Sequence, residues 1–308
     1  MTAPNPVIPG ASLLVTRRIL DGRFHLRPDA KVNQAIAFAL AYSASKHGIE
    51  LYSAEALSNH CHEIICDPDG THPLFRRDFH QLVTRSVNVY RGTREAKWSP
   101  DRNPPVILAD RESVLEGVSY NIANAPNHGL VDKAEDWPGF MSRIEDLAGP
   151  PRIIKRPEGL YDPNGDVPET IELRFVKPAV LSDMTDDEYR AEISRRLKLK
   201  CAEARARRRE AGIDVVGREA ILATDPKDRP SKELPLGQLK PRLACKDKTL
   251  RIAFLRWITA FRKAHRAARK RFDAGERDVA FPMSTYLHVL RYGVTCEGKG
   301  PPAFGWAG

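Results

Sequence analysis

The sequence predicts an α+β chain: a ferredoxin-like antiparallel sheet with helices in the first part, joined to a basic, mainly helical second part. Three observations predict it. Over roughly the first 110 residues, short apolar runs of strand length alternate with segments of helical period in the order β-α-β-β-α-β. After Gly149-Pro150-Pro151 the pattern changes to long stretches with an apolar residue every three or four positions. The excess positive charge falls entirely in that second part: residues 1–150 hold 16 Lys+Arg against 18 Asp+Glu, and residues 151–308 hold 33 against 22.

Each element has a local reason. Residues 12–19 (SLLVTRRI) read as the first strand, and Asp29 caps a helix whose Val32, Ile36 and Leu40 share one face and which Gly48 ends. Residues 49–57 (IELYSAEAL) and 60–67 (HCHEIICD) read as two strands joined by the turn residues Ser58 and Asn59. Phe75, Phe79, Leu82 and Ser86 keep helical spacing, Pro104-Pro105 breaks the chain, and residues 106–109 (VILA) make a fourth strand. In the ferredoxin-like arrangement the helices of this unit lie on one face of the sheet. Asp110 then caps a further helix with Val114, Leu115, Val118 and Ile122 as its apolar stripe, closed by Ala125-Pro126.

Residues 151–180 are rich in Pro, Gly and charge, as in a linker or an extended arm, so the chain is expected to divide into 1–147 and 148–308. Thr185 and Glu188 form a capping box that opens a long helix with Tyr189, Ile193, Leu197 and Cys201 inward. A second long helix over residues 250–272 turns Phe254, Ile258, Phe261, Ala268 and Phe272 inward.

The composition narrows the function classes. No apolar run is long enough to span a bilayer, and MTAPNPVIPG lacks the basic and apolar regions of a secretory signal, so a cytoplasmic protein without membrane contact is expected. Five scattered cysteines, with no Cys-x-x-Cys pair, read as reduced thiols. The uneven charge points to a polyanion, nucleic acid before membrane, with a solvated basic surface as the plain alternative. Arg17, Arg18 and Arg23 near the first strand, Arg207 and Arg208 on the first long helix, and Arg262, Lys263 and Arg266 on the second are the candidate phosphate contacts.

Chemistry concentrates in two places. On a strand, residues i and i+2 project to the same face, so His60 and His62 point together and Cys61 points away. Two imidazoles and an oxygen donor suit a divalent cation, although two histidines on one strand face also occur as surface or core residues. On the helix capped by Asp110, Tyr120 and Asn124 lie four residues apart, nearly opposite the apolar stripe. Helix and strand can therefore contribute to one site.

The stretch LSNHCHEII, followed by YNIANAPNHGLVDKAEDWPGF over residues 120–140, resembles the HUH single-tyrosine transposases, in particular their REP-associated branch. The family pattern of Ser-Asn-His-x-His, then Tyr-x-x-x-Asn-Pro-x-x-x-Gly-Leu-Val and a Trp-Pro, is matched at Ser58, Asn59, His60, His62, Tyr120, Asn124, Gly129, Leu130, Val131, Trp137 and Pro138. Ala125-Pro126 departs from it by placing the proline one residue later, and the Gly-Thr-aromatic start of REP-linked members is missing.

The resemblance implies an HUH endonuclease fold and a metal-dependent endonuclease and strand transferase acting on single-stranded, hairpin-bearing DNA. His60, His62 and Asn124 are then the ligands of a divalent metal, Mg²⁺ or Mn²⁺, and Tyr120 is the nucleophile that forms a 5′-phosphotyrosine intermediate. A monomer or homodimer fits this reading. The alternative is a domesticated, non-cleaving DNA-binding protein. A replication initiator or relaxase, or an RNA-binding protein on the same sheet, is a further competitor, and the latter would carry aromatics where His60 and His62 stand.

Overall fold

Local chemistry fixes where the first elements start and stop. The computed structural model describes residues 4–100, 104–162, 164–230 and 241–304. Strand β1 (Ala11–Arg18) leads to helix α1 (Ala30–His47), which starts where Asp29 accepts the Val32 N–H at 2.8 Å and stops where Gly48 turns left-handed at φ 63°. Strands β2 (Glu50–Leu57) and β3 (His60–Asp67) follow as a tight hairpin. The last residue of β3 caps the next helix, α2 (His72–Arg91): Asp67 accepts the N–H of Thr71 at 2.6 Å and of His72 at 3.1 Å, and its carboxylate also meets His72 Nδ1 at 2.6 Å. Burial pushes the Asp67 carboxyl up, but these bonds outweigh it and hold the group below its ordinary value. Strand β4 (Val106–Leu108) completes the β-α-β-β-α-β unit.

These strands pair antiparallel in the order β2-β3-β1-β4, the order of the ferredoxin-like unit. Register assigns the two faces. Thr16 and Arg18 of β1 stand opposite His62 and His60 of β3, which stand opposite Glu55 and Leu57 of β2, so these six residues share one face. Glu63 points to the other face, where the guanidinium of Arg76 on α2 is its charged neighbour.

Helices lie on both faces of the sheet. The crossover helices take the Glu63 side, as the unit requires, while α3 (Arg111–Ile122) and the single turn α4 (Asn124–Asn127) cover the histidine side. There Asn121 donates its Nδ2–H to Ser53 Oγ at 2.9 Å. Gly117 lets α3 come close to the sheet: a Cβ at this position would sit 3.1 Å from Leu108 Cδ1 and 3.5 Å from Ile64 Cδ1.

Beyond residue 148 the same core continues. Residues 151–180, expected as a linker or extended arm, contain the antiparallel pair β5 (Arg152–Lys155) and β6 (Thr170–Leu173), and Leu173, Phe175 and Leu181 are buried. Their high Pro, Gly and charge content belongs to the turn between the strands and to the exposed edge, and it hides two short runs with an inward face. Helix α5 (Asp186–Ala211) opens with the Thr185/Glu188 capping box and lies against α3, with Arg196 forked on Glu112 at 2.7 and 2.9 Å. After α6 (Arg218–Ala223), the short strand β7 (Leu243–Ala244) adds parallel to β4 and makes the sheet five-stranded and mixed.

Helix α7 (Lys248–Asp273) buries Phe254, Ile258, Phe261, His265 and Ala268, while Phe272 is only half-buried. Strand β8 (Phe281–Pro282), helix α8 (Leu287–Tyr292) and strand β9 (Cys296–Glu297) close the chain over a small second cluster that includes Val279, Phe281 and Val294. One main cluster runs from Val15, Ile64 and Val118 through Phe175, Tyr189 and Ile193 to Phe254 and Ile258. All five cysteines are free thiols, and no helix among the described residues is long and apolar enough to cross a membrane.

Shared packing of this kind has a measurable consequence. Each buried large apolar side chain contributes about 1.5–3 kcal/mol, and a whole domain is stable by only about 5–15 kcal/mol. A chain ended after residue 147 loses Phe175, Tyr189, Ile193 and Phe254 from the cluster together. We expect it to show no cooperative unfolding transition by calorimetry under conditions where the full chain shows one.

Candidate functional site

The β1–β3 pairing brings the two histidines together with their supports. The rings of His60 and His62 lie 4.7 Å apart, edge to face at 89°. Asn59 Oδ1 stands 2.6 Å from His60 Nδ1, and the orientation of the Asn59 amide is set by donation of its Nδ2–H to the Gly22 carbonyl at 3.3 Å. An amide oxygen can only accept, so His60 carries its proton on Nδ1 and leaves Nε2 as a lone pair. That nitrogen is buried and has no hydrogen-bond partner among the described residues. The Nδ1 of His62 lies 2.8 Å from Thr16 Oγ1, a hydroxyl able to donate or accept.

Further buried polar atoms without partners gather beside this pair. Asn124 is wholly buried, with neither Oδ1 nor Nδ2 hydrogen-bonded among the described residues. Glu55, opposite His62 in the β2–β3 register, is 2% exposed, and both its carboxyl oxygens are without a hydrogen bond among the described residues. The Asn124 carboxamide and the Ala125 N–H are the hydrogen-bonding groups nearest to Glu55, and each stops short of a closed bond.

Burial governs the electrostatics. It lowers the His60 imidazole well below its ordinary value, and His62, Arg18 and His128 add to the effect. It lowers His62 to about 3, with Arg18 and His128 acting in the same sense. Both rings are therefore neutral at pH 7 and offer lone pairs. The Glu55 carboxyl is pushed well above its ordinary value by burial, against the pull of Asn124 and Ala125. Arg18 is lowered by burial while the Tyr120 phenol draws it the other way, so Arg18 is a shared electrostatic neighbour of the tyrosine and the three histidines.

Tyr120 and Asn124 do not share a continuous helix face. The backbone leaves helical geometry at Ala123 (φ −82°, ψ 1°) between α3 and α4. As a result Tyr120 is 41% exposed at the surface and Asn124 lies underneath. Pro126, placed one residue late against the family pattern, sits within the short turn α4, which follows this break.

The basic candidates separate. Arg18 lies at the site, whereas Arg17 turns to the opposite face beside Arg76 and His80. Arg23 lines a cleft of about 580 Å³ with Phe24, Lys227, Asp228 and Arg229. Arg208 donates to the Pro126 carbonyl at 3.1 Å and to Asp132 at 2.6 Å, and Arg207 lies only 3.5 Å from Asn127 Oδ1. Arg262 donates to the Pro4 carbonyl and Asn5 Oδ1, both at 3.3 Å, while Lys263 and Arg266 are exposed on α7.

Asn59, Thr16 and Glu55 gain roles that the sequence did not assign. Asn59 carried a signal as a matched position of the Ser-Asn-His-x-His pattern, and Glu55 carried one as a carboxylate within the strand-like run IELYSAEAL. His128, just past the turn α4, places its ring 5.9 Å from that of His60.

No protein-family model and no curated protein matches this chain. One similar solved structure is that of a REP-associated tyrosine transposase bound to a REP hairpin. It is 22% identical, the match covers 55% of this chain and 93% of that one, and the TM-score is 0.40. A likeness of that size carries no argument, and the functional reading rests on the site itself.

Among the described residues no three His, Cys, Asp or Glu side chains gather as a metal-holding group. The donor set at this site is different: two neutral imidazoles and a carboxamide oxygen. The orphaned His60 Nε2 and Asn124 Oδ1 are the kinds of atom that a divalent cation would satisfy, so the residues fit such an ion.

Arg18 supplies a direct check on these electrostatics. Its positive charge lowers the His128 imidazole, after the larger effect of burial. Replacing Arg18 by Gln removes that repulsion of the protonated ring, so the His128 pKa should rise. Histidine Cε1–H chemical shifts followed against pH will measure it.

Proposed function

We propose that this chain is a divalent-cation-dependent enzyme that nicks and rejoins single-stranded DNA through Tyr120, in the manner of the HUH tyrosine transposases. One observation carries the reading: a buried imidazole of fixed tautomer, His60, keeps a lone pair without a partner among the described residues beside a second neutral histidine, while the buried Asn124 carboxamide lies against Glu55, the residue opposite that second histidine. A satisfied core histidine would have its second nitrogen bonded.

His60, His62 and Asn124 would hold the cation, Mg²⁺ or Mn²⁺. When bound it supplies Lewis-acid polarisation of a phosphate oxygen. Tyr120, exposed where a strand of nucleic acid can reach it, attacks the phosphorus; the P–O3′ bond breaks, the phenol loses its proton and the leaving 3′ oxygen gains one. The product is a 5′-phosphotyrosine with a free 3′-OH. Reversal by a 3′-OH releases Tyr120 and reseals the strand, so no external energy source is required. Arg18, charged and adjacent to Tyr120, stabilises the negative charge that builds during the attack. Asn59 and Thr16 keep the histidines in place and His60 in its Nε2-ligating tautomer.

Single-stranded, hairpin-bearing DNA is the substrate this reading calls for, because an exposed tyrosine beside a sheet face can meet a threaded strand more readily than a phosphate locked in a duplex. The neighbourhood of Tyr120, Arg18 and the histidines of the same chain supports a site completed in one subunit. Lys263 and Arg266, exposed on α7, would add phosphate contacts that do not read sequence.

Two experiments test this. With Mn²⁺ and hairpin oligonucleotides copied from DNA flanking the gene, the wild-type chain should form a covalent adduct that survives denaturing electrophoresis. Tyr120→Phe should lose the adduct and keep binding, and His60→Ala should lower adduct formation at least tenfold. Binding with no adduct under either metal would favour the non-cleaving alternative. In salt titrations, Lys263→Ala and Arg266→Ala should each reduce the slope of log affinity against log salt by about one or less.

A further inference from the structure

Among the described strand positions on the histidine face, Glu55 is the one buried carboxylate, and nothing in the mechanism above uses it. Its position is costly. An ionised carboxylate without a partner is strongly disfavoured in a protein interior, and a neutral one still leaves its hydroxyl and carbonyl unsatisfied. Among the described residues both of its oxygens lack hydrogen bonds, and so do both polar atoms of the adjacent Asn124. Two neighbouring buried side chains with complementary groups, each left open, form a pair that closes when one of them is drawn into a new position.

We propose that Glu55 is the positioning residue of the site: it accepts the Asn124 Nδ2–H, with the Ala125 N–H alongside, and so turns Asn124 Oδ1 toward the space in front of His60 Nε2. This rests on the reading of His60, His62 and Asn124 as a cation site. An amide has its donor and acceptor on opposite arms, so anchoring the nitrogen on a carboxylate commits the oxygen to the other side. A carboxamide is a weak ligand, and an outer partner that fixes its orientation and polarises it raises its donor strength. Glu55 is well placed for this because the β2–β3 register sets it directly opposite His62 while Asn124 reaches it from α4. Glu55 acts through Asn124 and is not itself a ligand, in keeping with the absence of a three-residue acidic or histidine metal group here among the described residues.

The test is Mn²⁺ binding to the full-length, DNA-free protein by titration calorimetry, paired with thermal melting of the metal-free protein. Glu55→Leu should weaken Mn²⁺ binding by about 10–100-fold. The metal-free Tm should stay unchanged or rise, because an unsatisfied buried acid has been removed. Glu55→Gln, which keeps one acceptor and the side-chain volume, should lose less, and it serves as the folded control if the leucine variant does not fold. Combined with Asn124→Ala, either Glu55 variant should cause no further loss. Wild-type affinity in a folded Glu55 variant overturns the proposal while leaving the cation site intact, and an additional loss in the Asn124→Ala background overturns action through Asn124. If the wild-type chain and His60→Ala bind Mn²⁺ equally, the cation reading itself fails and this inference fails with it.

Discussion

The pairing of β1 with β3 is the constraint on which the site depends. The two strands run antiparallel in unbroken register from Ala11 opposite Asp67 to Arg18 opposite His60. Side-chain alternation makes such a register all-or-none: a slip of one residue would set Thr16 and Arg18 on the face opposite to His60 and His62. On that other face Glu63 and Arg76 already occupy the interior, and the apolar residues of α2 pack under the sheet. The pairing that buries Val15 and Ile65 in the core therefore also sets two imidazoles, their hydroxyl support and a guanidinium on the side covered by α3 and α4.

Against that fixed sheet, α3 supplies two kinds of residue at two depths. Gly117 allows the helix to approach until a methyl group would crowd Leu108. The break at Ala123 then changes the direction of the chain, leaving Tyr120 near solvent and setting Asn124 in the interior. A nucleophile has to be reached by its substrate, and a ligand is best shielded from competing water. One uninterrupted helix would have given both residues similar exposure.

Much of this was legible in the sequence because it is local. Asp29 and Gly48 mark the ends of α1, Thr185 and Glu188 open α5, and the His-x-His spacing puts both rings on one face without knowledge of any neighbour. What depended on residues far apart in the chain was not legible. Thr16 supports His62 across forty-six positions, and Glu55 meets Asn124 only because β2 pairs with β3 in one register and α4 turns under α3. The hairpin of β5 and β6 was concealed by composition, since its strands are four residues each and its connection is polar. Charge counting was similarly blind to pairing: Arg196 and Arg208 add to the basic total but meet Glu112 and Asp132.

The arginine at position 208 has a mechanical role as well. Together with two backbone bonds, Val216 N–H to the Gly129 carbonyl and Gly217 N–H to the Leu130 carbonyl, it ties the end of α5 and the stretch after it to the loop that begins four residues past Asn124. Its aliphatic stem lies close enough to Gly129 that a Cβ there would come within 3.3 Å. The end of α5 and the loop that follows Asn124 are thereby held as one piece, so a displacement of either carries the other with it.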